Sequence, residues 1–205
     1  MTSSYAKIII MQAIILKKIP IKEYDELVIC YTPDFGKATY VAKSVLRPTS
    51  KQASHLDILT LVDFELVQKN HLPIITNAYS LNNFGYLKSS LPAVAVANYV
   101  LEVFNKFVFE NDPDLKLWQF LNNRLTGLDE LATKSMIDWK TELADTQKEI
   151  MEVLGYNETI NMEDIVQSHL SSLDFAREIF APANPSFSLS PRLHSDNSFE
   201  LKSVS

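Results

Sequence analysis

The sequence predicts an α+β protein in which a small five-stranded barrel precedes an α-helical domain. Residues 1–80 contain short β-branched and aromatic runs separated by turn residues, with no helical period between the first three runs. From residue 81 onward, apolar residues recur at spacings of three and four, the period of an amphipathic helix. We therefore predict a barrel domain over 1–80, a helical domain over 81–181 and a disordered tail over 182–205.

The barrel strands are defined by five apolar runs. Pro20 follows the first run, which is rich in isoleucine. The second and third runs form a hairpin through Thr32-Pro33-Asp34-Phe35-Gly36, because proline presets φ, aspartate can bond its own backbone and glycine accepts a positive φ. The predicted strands are Lys7–Leu16, Leu27–Tyr31, Lys37–Ala42, Leu59–Gln68 and Ile74–Tyr79.

The helical half begins with an apolar stripe over 94–108. Asp112-Pro113 predicts the next helix start, an N-cap followed by proline in the first turn. A longer helix is predicted over 136–154, and Gly155 is placed to end it in the left-handed conformation. Asn161 with Asp164 predicts one more start. The segment 182–205 contains three prolines and many serines, which indicates disorder.

Several classes of site are excluded by composition. The 205-residue chain has one cysteine, Cys30, so it forms no internal disulfide and no multi-cysteine zinc site. Its four glycines are too far apart for a P-loop or a dinucleotide-binding turn. No nucleophile or zinc-protease motif occurs. The histidines are too scattered to bind a metal: they are His55, His71, His169 and His194. We expect no enzyme activity, no cofactor and no metal.

The expected location is the cytosol. The apolar run Ile8–Leu16 has nine residues, whereas a membrane-spanning helix needs about 20. No small-residue cleavage site follows this run, so we do not interpret it as a signal peptide. No membrane partner is expected.

Charge is distributed unevenly along the chain, although the net charge is −6. Residues 1–72 contain 9 lysines and arginines and 7 acidic residues, whereas residues 73–205 contain 10 and 18. Between residues 37 and 51 there are four cations and no carboxylate: Lys37, Lys43, Arg47 and Lys51. This stretch is either a solvated loop that happens to be basic or a surface for phosphates.

Aromatic residues lie in the same half of the barrel as these cations. Single-strand binding needs aromatic rings on which bases stack and a cationic groove for phosphates. The aromatic residues are Tyr24, Tyr31, Phe35 and Tyr40. The alternative is that the rings fill the barrel core. Because side chains alternate along a strand, either Tyr40 or Val41 must face outward. We predict that Lys37, Tyr40, Lys43, Arg47 and Lys51 contact DNA.

Several stretches of residues 10–110 resemble the bacterial DNA repair protein family RecO. The stretch over 25–51 is fairly specific, and Leu154-Gly155-Tyr156 resembles a motif of the family's helical domain. The matching stretches are Ala13-Ile-Ile-Leu-Lys-Lys, Glu23-Tyr-Asp-Glu-Leu-Val, Tyr31-Thr-Pro-Asp-Phe-Gly-Lys, Val41-Ala-Lys, Arg47-Pro-Thr-Ser-Lys, His55-Leu-Asp and Leu61-Val-Asp-Phe-Glu-Leu-Val.

The resemblance implies an N-terminal OB-fold barrel and a C-terminal helical domain. It implies binding of single- and double-stranded DNA and annealing of complementary strands. It also implies help in loading the RecA recombinase onto strands covered by single-strand-binding protein, together with RecR. The alternative from charge is a non-catalytic OB-fold interaction module with weak DNA binding, since the chain is acidic.

The chain departs from the family pattern at two places. The family loop Ala-Lys-Gly-x-Arg-Arg is here Ala42-Lys43-Ser44-Val45-Leu46-Arg47, so a glycine and an arginine are lost. Ser44 must adopt the conformation that the glycine allowed, or the turn differs. Many relatives carry a four-cysteine zinc module after the Leu-Gly-Tyr motif. Residues 157–170 contain no cysteine, so we expect a short member of the family without zinc.

The helical half is expected to bind the acidic, hydrophobic tail of single-strand-binding protein. Such a tail needs a cationic rim around an apolar pocket. Lys140 and Lys148 lie two turns apart on one predicted helix and are the candidate contacts. The alternative is that both lysines pair with Glu149 and Glu152 on a solvated helix face.

Overall fold

The computed structural model of the chain describes residues 8–68, 72–156 and 170–181. The described strands are β1 (Ile8–Pro20), β2 (Glu26–Thr32), β3 (Gly36–Ala42), β4 (Leu61–Val67) and β5 (Ile74–Asn82). The described helices are α1 (Gly85–Ser89), α2 (Leu91–Phe107), α3 (Leu115–Leu131), α4 (Trp139–Val153) and α5 (Ser171–Phe180). The predicted order, five strands followed by helices, is confirmed.

The five strands close into a barrel in the order β1-β2-β3-β5-β4. Neighbouring strands are antiparallel except β3 and β5, which pair in parallel only at Val41–Ile74 and Ala42–Ile75. This is the five-stranded barrel of an OB-fold. The end of β3 therefore lies beside the start of β5, at the same end of the barrel as the loop between β1 and β2.

Strand β1 is longer than predicted, because it continues through Lys17 to Pro20 instead of ending at Leu16. Its first half pairs with β4 and its second half with β2, and the β2 pairing shifts register between Ile15 and Lys17. A bulge of this kind bends a strand and lets it serve two partners. The residues directly after Leu16 are polar, so the apolar pattern did not predict this continuation.

The predicted turn between β2 and β3 is confirmed. Gly36 has φ +64°, and the Thr32 hydroxyl accepts a hydrogen bond from the Phe35 amide at 3.0 Å. The Gly36 backbone also lies against the segment before α3. A Cβ atom added at Gly36 would lie 2.3 Å from the Asp112 carbonyl oxygen, so glycine is needed here for both space and conformation.

Two apolar cores share the barrel wall. The barrel interior contains residues from all five strands, with Phe64 and Tyr40 packed edge to face. The second core joins the outer face of β1 and β2 to the helices, where the Tyr31 ring packs edge to face against Phe104 of α2. The Tyr31 hydroxyl also donates to the Asp114 carbonyl at 3.1 Å. The helical half is therefore packed directly on one side of the barrel.

Two predicted helix starts are wrong by a few residues. The cap of α3 is Asp114 instead of Asp112, because its carboxylate accepts from the Lys116 and Leu117 amides. Helix α4 starts at Trp139 with Asp138 as its cap, and the predicted first residue, Met136, is fully exposed before it. An aspartate that satisfies two free amides fixes a helix start more strongly than an apolar period does.

The end of α4 is confirmed. Gly155 has φ +80°, its amide donates to the Glu152 carbonyl, and the Tyr156 amide donates to the Met151 carbonyl at 2.9 Å. This is a Schellman motif. The predicted helix start at Asn161 and the predicted tail over 182–205 lie outside the described residues.

Candidate nucleic-acid interface

The loop over residues 43–60, which joins β3 to β4, closes one end of the barrel. Val45 and Leu56 are buried in the barrel core, and Leu59 is buried in the second core. These three buried side chains anchor the loop to the fold. The loop exposes Lys43 before the first anchor, and Arg47 and Lys51 between Val45 and Leu56.

The β3–β4 loop is tied to the loop between β1 and β2. Ser44 has φ +56°, so of the two alternatives it adopts the left-handed conformation that glycine allows. Its amide donates to the Asp25 carboxylate at 2.8 Å, and the Leu46 amide donates to the Tyr24 carbonyl at 3.1 Å. These two bonds fix the backbone of the loop directly before Arg47.

A cation–π pair lies at this end of the barrel. The Arg47 guanidinium carbon is 5.1 Å from the centre of the Tyr24 ring. The Tyr24 hydroxyl bonds to the Glu23 carboxylate, and this bond, with burial, raises the pKa of Tyr24. Tyr24 belongs to the aromatic set that the sequence indicates, although its pairing with Arg47 follows from the fold alone.

The structure separates Lys37 from the other three cations. Lys37 opens β3 and Lys43 follows the last residue of that strand, which puts them roughly 20 Å apart along the strand. The Lys37 side chain is buried, and its ammonium donates to the Asn105 carbonyl of α2 at 2.8 Å. Burial lowers the pKa of Lys37, opposed by the nearby Glu110 carboxylate. The structure therefore places Lys37 at a helix end, apart from the three exposed cations, and its predicted contact with DNA stays a prediction.

Tyr40, which is predicted to contact DNA, faces the interior of the barrel. Its side chain is 5% exposed and points into the barrel, where the hydroxyl lies 3.6 Å from the Met11 sulfur. Val41 is the neighbour that faces outward. The ring of Tyr40 is a core side chain that is closed to a base, since the barrel interior is packed around it. Burial raises its pKa well above the usual tyrosine range.

Comparison with known proteins agrees with this geometry. A family model described as "Recombination protein O N terminal" matches residues 7–84, which contain the whole barrel. This chain belongs to the RecO family. Proteins named "DNA repair protein RecO" match it beyond the barrel, into the helical half.

The relatives cover the chain in part. A RecO of Dehalococcoides mccartyi strain BAV1 is 32% identical over 118 residues, which are 58% of this chain and 47% of the relative. The RecO of strain 195 is 30% identical over 146 residues, 69% and 58% of the two chains. That of a Thermoanaerobacter species is 26% identical over 145 residues, 71% and 57%. The chain spans about half the length of the curated relatives that it matches.

In this RecO-family chain, the two lysines predicted to bind a protein tail lie on α4. Lys140 is exposed at the start of the helix, beside its cap Asp138, and Lys148 is exposed two turns later. Arg124, another cation of this half, bonds to Glu142, Glu149 and the Thr146 hydroxyl, so it joins α3 to α4. Arg124 is therefore a structural residue.

A groove of about 390 Å³ lies where α2, α5 and the end of β1 meet. Its walls are apolar at Leu16, Leu101 and Phe175, and Lys17 and Lys106 lie at its edge. Glu102 also lines it and pairs with Lys106 at 2.9 Å. Neither Lys140 nor Lys148 lines this groove.

Groups that could hold a metal are absent from the described residues: no three histidine, cysteine or acidic side chains come together there. Cys30 is fully buried in the barrel, which raises the pKa of its thiol far above the usual range. His55 lies 3.0 Å from the Ser80 hydroxyl, whereas His71, His169 and His194 lie outside the described residues. None of the helices in the described ranges combines the length and apolar character of a membrane span.

Proposed function

We propose that this chain is a DNA-binding mediator of recombination and repair. It binds single- and double-stranded DNA through the β3–β4 loop and anneals complementary strands. It helps load the RecA recombinase onto DNA covered by single-strand-binding protein, with RecR as a partner. The role is non-catalytic and belongs to the cytoplasm, at the nucleoid.

The observation that carries this proposal is the set of three exposed cations on one anchored loop. Within the described residues, no carboxylate lies within ion-pair distance of Lys43, Arg47 or Lys51. Exposed cations without an acidic partner suit a string of phosphates, whose counterions are released on binding. The names of the relatives, DNA repair proteins of the RecO family, support the same function.

The test is a titration with single-stranded and duplex DNA at about 50 and 200 mM salt. We expect affinity to fall steeply with salt on both substrates. Annealing is then followed by mixing complementary strands, with and without single-strand-binding protein. Affinity that is absent at low salt would contradict the proposal.

The second candidate is a non-catalytic OB-fold interaction module with weak DNA binding. The net charge of −6 and the loss of one arginine from the family loop favour it. It predicts a shallow salt dependence and tight binding to RecR in the absence of DNA. The same titration, followed by a RecR pull-down, separates the two candidates.

For the partner tail, we propose binding by the helical half through Lys140 and Lys148, the contacts predicted from sequence. The groove between α2 and α5 is a second location, since it combines an apolar wall with Lys17 and Lys106. A tail peptide titrated against Lys140→Ala with Lys148→Ala, and against Lys17→Ala with Lys106→Ala, distinguishes them. Lys134→Ala, exposed beyond α3, is the control. Unchanged affinity in both double variants would exclude both locations.

A further inference from the structure

Leu46 is an exposed apolar residue in the middle of a basic surface. Its neighbour Val45 is anchored in the barrel core, and because adjacent side chains point apart, Leu46 is turned outward with 42% of its surface exposed. Lys43 lies three residues before it and Arg47 directly after it. The aliphatic side chain of Leu46 has no group that could bind a phosphate.

The Tyr24–Arg47 pair provides a flat surface beside Leu46. The ring and the guanidinium are 5.1 Å apart, and the Leu46 amide is bonded to the Tyr24 carbonyl at 3.1 Å. The three side chains therefore project from adjoining backbone. Arg47 is exposed, and a guanidinium plane and an aromatic ring are the groups on which unpaired bases stack.

The charged groups around this cluster favour one placement of a bound strand, with its bases at the ring and its phosphates at the lysines. The Glu23 carboxylate bonds to the Tyr24 hydroxyl, and the Asp25 carboxylate bonds to the Ser44 amide. The two carboxylates disfavour phosphates beside the ring, whereas the ammonium groups of Lys43 and Lys51 form no ion pair with a carboxylate of the described residues. Phosphates are then favoured along the lysines, and bases are favoured at Tyr24.

We propose that Tyr24, Leu46 and Arg47 form a nucleobase-binding cluster, on which a single strand places its bases while Lys43 and Lys51 contact its phosphates. This inference rests on the proposed DNA binding. It assigns Leu46 one role: packing its aliphatic side chain against a base stacked on Arg47. Duplex DNA, whose bases are already stacked, gains nothing from the cluster.

The experiment compares two single strands of about 20 nucleotides, one with bases and one with an abasic sugar–phosphate backbone. The parent protein is expected to bind the strand with bases about tenfold more tightly, since one stacked base contributes roughly 1–3 kcal/mol. In Leu46→Ser and Tyr24→Ala this preference should fall to about threefold or less, because most of the contribution of the stacked base is lost. The salt slope should not change, since no phosphate contact is lost.

Matched variants complete the design. Tyr24→Phe keeps the ring and should keep the preference, and Leu115→Ser removes an exposed leucine of α3 as a control. Leu46→Arg replaces the leucine by a cation and should steepen the salt slope by about 0.7 while the preference falls. Urea unfolding of each variant checks that the barrel is intact.

Each outcome decides the inference. Equal binding of both strands by the parent, or an unchanged preference in Leu46→Ser and Tyr24→Ala, would show that the loop contacts phosphates alone. In that case the DNA-binding proposal stands and the base-binding cluster does not. If the parent binds neither strand at low salt, the proposed function fails, and the cluster fails with it.

Discussion

A lysine lies at each end of β3, but one lysine is buried within the fold and the other is exposed to solvent. Lys37, at the start of the strand, is buried and bonded to the end of α2. Lys43, after its last residue, is exposed and has no carboxylate partner among the described residues. A cation that is bonded within the fold belongs to its architecture, whereas an exposed and unpaired cation is available to a ligand. Variants at the packed end should change stability, and variants at the loop end should change DNA binding.

The junction around the start of β3 should give the largest effect. Gly36→Ala places a side chain in a left-handed conformation and against the Asp112 carbonyl, so we expect a loss of about 3 kcal/mol in unfolding free energy. Urea denaturation measures it. Gly155→Ala is the control, because its φ is also positive but no atom lies within 4 Å, and we expect about 1 kcal/mol. Equal losses would show that the close approach is unimportant.

Glu102 should give the next largest effect, and it depends on pH. Burial opposes its ionisation, but hydrogen bonds from Ser172, Lys106 and Ser171 outweigh burial and lower the pKa of Glu102 to about 2. A folded-state pKa below the unfolded value stabilises the fold above about pH 4.5, and this contribution is lost as the pH falls toward 2.

We therefore expect Glu102→Gln to lower the unfolding free energy by about 2 kcal/mol at pH 7. The difference from the parent should shrink between about pH 4.5 and pH 2. Urea midpoints measured across this range test the prediction. Glu152→Gln, exposed on α4, serves as control. A difference that stays constant down to pH 2 would contradict the role of the ionised carboxylate in holding α5 on α2.

The loop end should affect binding and leave stability unchanged. Replacing Lys43 and Lys51 together by alanine removes two phosphate contacts, so the salt slope on single strands should flatten by roughly 1 to 1.5 units. Affinity at low salt should fall by about tenfold. Lys116→Ala with Lys134→Ala removes equal charge from the helical half as a control. Lys37→Met is a second control and should leave the salt slope unchanged. An unchanged salt slope in the double loop variant would contradict the proposed contact between the β3–β4 loop and phosphates.

The sequence predicted the barrel well because its local signals agree. Gly36 and its turn, for example, are specified by the neighbouring residues Thr32 to Phe35. The orientation of Tyr40 was missed because both it and Val41 are apolar, so alternation along the strand cannot set which one faces the core. The partner of Lys37 was missed because Asn105 lies 68 positions away, and no local pattern reports such a contact.

The smallest expected effect concerns Ser44, where the loop leaves the barrel. Its φ of +56° costs a non-glycine residue about 1 kcal/mol, and its amide must keep that direction to reach Asp25. Ser44→Gly relieves this strain but adds freedom to the unfolded chain, so we expect a net gain of about 0.5 kcal/mol. Ser50→Gly, in the same loop without a positive φ, should lose about as much. Thermal unfolding of the two variants is compared, together with their DNA affinity. A Ser44→Gly protein that is less stable than the parent would mean that the serine side chain stabilises the turn, and that the family glycine is no longer suited to this loop.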